Sequence, residues 1–214
     1  MTGVQTCALP IYSAERNAFF PAVSPRAVKT HWSLQFQAHA DRLIDTLSSS
    51  GPVDFIADFA LPFSAECLKS VTGLTNMRYQ DMNAWSQAMI DGIANYLGDP
   101  EVEARCHEAT AGIDAAIDDM LPALEQDNKS LLGVMVASGM PMDSVRANIK
   151  LAISGGQNEP RKALAGTLWA LLMHPEQFEL DRAASAKCFL HASSHLSRHH
   201  SAPSEHSQRD IWPF

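Results

Sequence analysis

In this 214-residue chain the residue types best able to do chemistry stand together from position 155 to 161: Gly155, Gly156, Gln157, Asn158, Glu159, Pro160 and Arg161. They interrupt a run whose apolar spacing is helical from Asp143 to Met173. Inside a helix a glycine costs about 1 kcal/mol and a proline about 3 kcal/mol relative to alanine. Pro160 has no N–H to offer the carbonyl of Gly156, so that oxygen is left to bind something else and the helix should kink. Local rules broken together point to a site. From spacing alone, "SGGQNEPR" also reads as an ordinary turn between two helices.

Other candidates carry less. His191, His195 and His199 are spaced to share a helix face with Cys188 nearby, as metal ligands would be, but no carboxylate pattern accompanies them to orient the rings. A solvated tail is the expected reading, and no metal site is assigned. Cys7, Cys67, Cys106 and Cys188 form no CxxC pair, which gives neither a disulfide framework nor a zinc site and fits a reducing cytoplasm. The formal charge of -8, without clustered Lys and Arg, argues against nucleic acid as a partner. The longest apolar run, Ala163 to Met173, is far short of the roughly 20 residues a bilayer needs, so no membrane association is expected.

The elements that must position the cluster are helices. Ser24 and Pro25 offer a cap and a first-turn proline, and Val28, Trp32, Phe36, Ala40, Leu43 and Leu47 then mark one face. A short β-like run, Val53 to Ile56, precedes a second helix with Phe59, Phe63, Cys67 and Val71 in register, ended by Gly73. A third is expected from Gln80 to Leu97 on Met82, Trp85, Met89, Ile93 and Tyr96. The fourth, opened by Pro100, carries Val102, Cys106, Ala109, Ile113, Ala116, Met120 and Leu124. A short helix around Leu131 to Val136 and a break at Gly139 and Pro141 lead into the long run, which at 1.5 Å per residue would be on the order of 45 Å long.

The two ends differ from this middle. Met1 to Ile11, "MTGVQTCALPI", lacks the basic start and apolar stretch of a secretory signal and resembles the translation of a sequencing-adapter oligonucleotide, so it is expected to be an artefactual leader. From Asp181 the text turns Ser- and His-rich and its periodicity fades, as a frameshifted or unrelated tail would.

The middle resembles a family. "LAISGGQNEPRKALAGTLWALLMHPEQ", Leu151 to Gln177, is similar to the long distal helix of bacterial cytochromes P-450, whose pattern is a small residue, Gly, any residue, an acid and Thr, followed by "ALLxHPEQ". "ERNAFFPAVSPRAV", Glu15 to Val28, and "VDFIADFALPFSAECLKSVTGL", Val53 to Leu74, resemble two further family segments. The likeness is spread over Ser13 to Leu180. It implies a mainly α fold, a partial cytochrome P-450 fold of helices around a long kinked central helix, with 12–180 as the partial domain between the leader and the 181–214 tail.

The resemblance also implies roles. Arg16 falls where the family pairs an arginine with a haem propionate, although the histidine usual four positions earlier is Tyr12 here. Gly155 and Gly156 match the small residues that let the haem face approach the backbone. Asn158 stands at the acid position and Glu159 at the Thr position, and with the Gly156 carbonyl they are candidates to hold the water that delivers protons to reduced dioxygen. The Phe–x–x–Gly motif ending in the ligating Cys is absent, and Cys188 in "AKCFLHA" lacks the glycines of that loop; "ELDR" at Glu179 to Arg182 follows "HPEQ" too closely to be the family's Glu–x–x–Arg. The chain is thus expected to be a fragment of a haem-dependent monooxygenase, inactive as written. Its implied partners are a small organic substrate, O2 and a ferredoxin or flavin reductase. The alternative is a helical small-molecule-binding module without catalysis, which gives no reason for Gly-Gly, Pro160 and "HPEQ" in series.

Overall fold

The computed structural model describes residues 15–47 and 51–183. Among these, every regular element is a helix: α1 (15–23), α2 (Pro25–Ala27), α3 (Ser33–Leu47), α4 (Leu61–Thr72), α5 (Tyr79–Ile93), α6 (Pro100–Met120), α7 (Leu131–Ala137), α8 (Met142–Gly156), α9 (Asn158–Met173) and α10 (175–183). The leader Met1 to Ile11, Cys7, Cys188 and the His191, His195 and His199 series lie outside the described residues. Two compact units divide after Gly166.

In the first unit the start signals act as their chemistry dictates. Ser24 Oγ accepts from the Ala27 N–H with Pro25 in the first turn, Asp99 accepts from the Glu101 N–H ahead of Pro100, and Ser130 accepts from the Gly133 N–H. Gly73 ends α4 at φ 89°, the left-handed conformation that suits glycine. The β-like run is a correction. Val53 to Ile56 forms no strand, because Asp54 caps the N–H groups of Ile56 and Ala57 and so starts a π-helical turn, Phe55–Ala60.

Two predicted faces shift in register. The buried side of α4 is Ser64, Ala65, Leu68 and Thr72, continuing from Ala60, while Phe59, Phe63, Cys67 and Val71 are half-buried. The phenylalanines stack on one another instead, Phe55 on Phe59 at 5.2 Å and Phe59 on Phe63 at 5.5 Å between ring centres. On α5, Met82, Ser86 and Met89 are buried, whereas Ile93 and Tyr96 are exposed because the helix stops at Ile93 rather than Leu97. Trp85 lies flat enough on α6 that a Cβ at Gly112 would come within 2.6 Å of its ring, so glycine there sets the close approach of the two helices.

Leu74, Met82, Ile113, Ile117, Leu132, Met135, Val145, Ile149 and Ile153 are fully buried and belong to one core. Burial of such apolar side chains contributes on the order of 1.5–3 kcal/mol each. Charges fasten α8 to α6 at the edge of this core: Arg146 reaches Asp118 at 2.5 Å and the Asp114 carbonyl at 3.1 Å, and Lys150 reaches Asp114 at 2.6 Å. The inner face of α8 is thereby fixed against α4, α5 and α6.

The second unit, as far as it is described, holds the end of α9 and α10. Glu179 and Arg182, the "ELDR" pair, form a local ion pair one turn apart at 2.8 Å on α10. No helix among the described residues is long and apolar enough to cross a membrane.

Candidate functional site

The long run is not a loop at "SGGQNEPR". Helix α8 ends at Gly156, Gln157 keeps right-handed helical angles (φ -89°, ψ -45°), and α9 resumes at Asn158. The interruption removes most of the energetic conflict seen in the sequence. With the helix restarted at Asn158, Pro160 falls in the first turn of α9, where an N–H would have no helical acceptor and its absence costs little. Glu159 in the same turn sits favourably at the positive end of the α9 dipole.

Three residues spaced by four, Leu151, Gly155 and Glu159, form one exposed line on the outer side of this helix, and a Cβ built on Gly155 would meet nothing within 4 Å. The opposite side is closed. A Cβ on Gly156 would lie 2.9 Å from the Leu68 Cδ1, so α4 packs directly on that glycine. Gly155 and Gly156 therefore stand in different surroundings, the first open and the second packed on α4.

Asn158 and Glu159 also separate. Asn158 is buried at 7% exposure, and its Oδ1 accepts from Arg161 Nη2 at 2.7 Å while Arg161 Nη1 donates to Asn83 Oδ1 of α5 at 3.1 Å. Glu159 faces outward, and neither Arg161 nor Lys162 pairs with it among the described residues. The carboxylate is the group of the two that can hold and move a proton, since a neutral amide committed to a guanidinium has none to exchange at ordinary pH.

An apolar slot of about 230 Å³ lies next to Leu151, walled by Phe19 and Val23 of α1, Leu131 and Met135 of α7, and Asn148 and Ala152 of α8. Arg16 is exposed and stands three and seven positions before Phe19 and Val23, on the same stripe of α1. The structure thus places the helix that carries Arg16 beside the outer line of α8. The described cysteines are elsewhere. Cys67 is half-buried on α4, where burial and then the neighbouring Glu66 push its thiol up to about 12, and Cys106 is half-buried on α6.

Sequence reasoning missed the groups that serve the interruption from inside. Ser64 Oγ donates to the Gln157 carbonyl at 2.8 Å and Ser86 Oγ donates to the Ile153 carbonyl at 3.0 Å, both buried. The available signal was partial: Ser86 lies one turn after Met82 on the expected face of α5, whereas Ser64 lies off the Phe59, Phe63, Cys67 and Val71 face expected for α4.

No family model matches the sequence. Solved structures do match its fold. Cytochrome P-450 260B1 of Sorangium cellulosum So Ce56 superposes with a TM-score of 0.67 at 22% identity, over 81% of this chain and 45% of that one. P-450 BioI, solved in complex with an acyl carrier protein ligated to hexadec-9Z-enoic acid, gives 0.66 at 17%, over 79% and 44%. OxyA from Actinoplanes teichomyceticus gives 0.63 at 17%, over 80% and 44%. The chain spans less than half the length of these structures. Its described residues carry part of the cytochrome P-450 fold.

Proposed function

We propose that this chain is a fragment of a haem-dependent monooxygenase and supplies the distal side of the haem site. The observation that carries the reading is the open line Leu151, Gly155 and Glu159 beside an apolar slot, on the helix whose sequence resembles the family's distal helix. The residues present fit one face and one edge of a haem. Gly155 leaves the backbone bare for a flat ring, Leu151 with Phe19 offers apolar contact, and Arg16 has the planar donor set suited to a propionate. Neither described cysteine offers a ready thiolate to hold the iron, since both are half-buried, on α4 and α6, and burial pushes the Cys67 thiol up to about 12.

A haem held there would supply an iron centre able to activate dioxygen for insertion of one oxygen atom into a small organic substrate. The overall balance consumes two electrons and two protons and releases the second oxygen atom as water; a ferredoxin or flavin reductase would provide the electrons. This chain's share is to exclude bulk water with Leu151 and Phe19, to hold the propionate edge with Arg16, and to carry a proton at the Glu159 carboxylate. Asn158 serves the inner side, holding Arg161 against α5.

Titration of the chain with haemin, followed by Soret absorbance and tryptophan fluorescence, tests the reading. Saturable one-to-one binding is expected, weakened several-fold by Arg16→Ala, as the loss of a charge-assisted pair implies. Binding that never saturates, or that ignores Arg16, contradicts it.

A further inference from the structure

Gln157 is fully buried, and both atoms of its side-chain amide, Oε1 and Nε2, lack a hydrogen-bonding partner in the protein. Buried amides are almost always satisfied, and one left wholly unpaired is costly enough to be selected against unless something else pairs with it. Its position is equally unusual. Gln157 occupies the single interruption between α8 and α9, on the side away from the Leu151, Gly155 and Glu159 line.

Two further buried polar side chains serve the same stretch of the long helix. Ser64 and Ser86 already give their hydroxyl protons to the carbonyls of Gln157 and Ile153, and each hydroxyl oxygen keeps lone pairs that can still accept. Pro160 has no N–H with which to close a bond back to the Gly156 carbonyl at the end of α8. Hydroxyls from α4 and α5 thus reach main-chain carbonyls at and one turn before the break, while the Gln157 amide keeps both a donor and an acceptor unused. Water inserted into the helical ladder is one of the few recognised causes of a sharp bend.

We propose that Gln157 anchors an internal water molecule at the break in the long helix, and that this hydration site holds the bend. The water accepts from Nε2 and donates to an oxygen of the break, so the amide acts as a positioning group for the outer line rather than as a contact for ligand. The inference does not depend on haem binding and stands or falls separately from it.

The test uses the whole chain without added ligand. A crystal structure at a resolution that shows ordered solvent should place a water within hydrogen-bonding distance of the Gln157 amide. Oxygen-17 magnetic relaxation dispersion should count one fewer long-lived water in Gln157→Leu than in the parent, and the variant should melt lower by about 3–5 °C, a shift typical of one lost buried interaction. A higher melting temperature in Gln157→Leu, an unchanged water count, or an amide bonded directly to protein groups would each overturn the proposal. Should Gln157→Leu fail to fold, the solvent structure of the parent decides alone.

Discussion

The hydroxyl of Ser64 and the main-chain carbonyl of Gln157 meet at 2.8 Å across 93 positions of sequence, inside the core. This bond ties α4 to the one residue where the long helix changes from α8 to α9, and the Ser86 bond to Ile153 repeats the tie one turn earlier from α5. Helix ends normally leave carbonyls for water or caps to satisfy. Here side chains from two neighbouring helices do so.

Ser64→Ala should lower the free energy of unfolding by about 1–2 kcal/mol, because it strands a buried carbonyl without adding bulk. Urea denaturation followed by circular dichroism measures this. A midpoint equal to that of the parent would show that the carbonyl finds another partner at no cost.

The two adjacent glycines should respond in opposite directions. Gly155→Ala replaces a helical glycine where nothing stands within 4 Å and should stabilise the chain by up to about 1 kcal/mol. Gly156→Ala pushes a methyl against Leu68 and should be less stable than Gly155→Ala by about 1–2 kcal/mol. Thermal melts of the pair, with Gly156→Ala also made in a Leu68→Val background to relieve the contact, check both signs.

Acid should loosen the junction of α3 with α4. Arg42 Nη2 donates to His39 Nδ1, so the imidazole proton sits on Nε2 and is donated to Ser70 Oγ at 2.9 Å, while Ser70 passes its own proton to the Glu66 carbonyl at 3.1 Å. A second ring proton has no place against Arg42. Burial first, then Arg42, and to a smaller extent Lys69, hold His39 below its ordinary value of 6.5, against the opposing pull of Glu66. With the folded value depressed, the unfolded chain binds the proton more tightly. This contribution to stability is complete above about pH 6.5 and is lost as pH falls through the lowered folded value. The fall in urea midpoint between pH 7.5 and pH 5 should be smaller in His39→Gln than in the parent; equal falls would exclude His39 as the source.

Much of the helical frame was legible because its signals are local. Ser24 with Pro25, Pro100, and Gly73 each dictate a terminus through their own backbone or side-chain chemistry. Faces were less legible. On α4 the large phenylalanines pointed to the wrong stripe because aromatic rings can satisfy themselves by stacking on each other, leaving small residues, Ala60, Ser64 and Ala65, to face the core. At the site, the spacing of Gly155, Gly156 and Pro160 announced a break, but it could not say which glycine faced outward. Nor could it separate Asn158 from Glu159, since adjacent helical positions diverge by about 100° and only the packing partner, here Asn83 through Arg161, decides which one turns inward.

The outer face at Gly155 is the claim on which the rest depends, and a side chain placed there tests it most directly. Haemin affinity should fall at least roughly tenfold, about 1.4 kcal/mol, in Gly155→Leu, while Gly155→Leu remains as well folded as the parent because the substitution points into open space. Haemin binding unchanged by that leucine, in a variant with an intact thermal transition, would contradict the account.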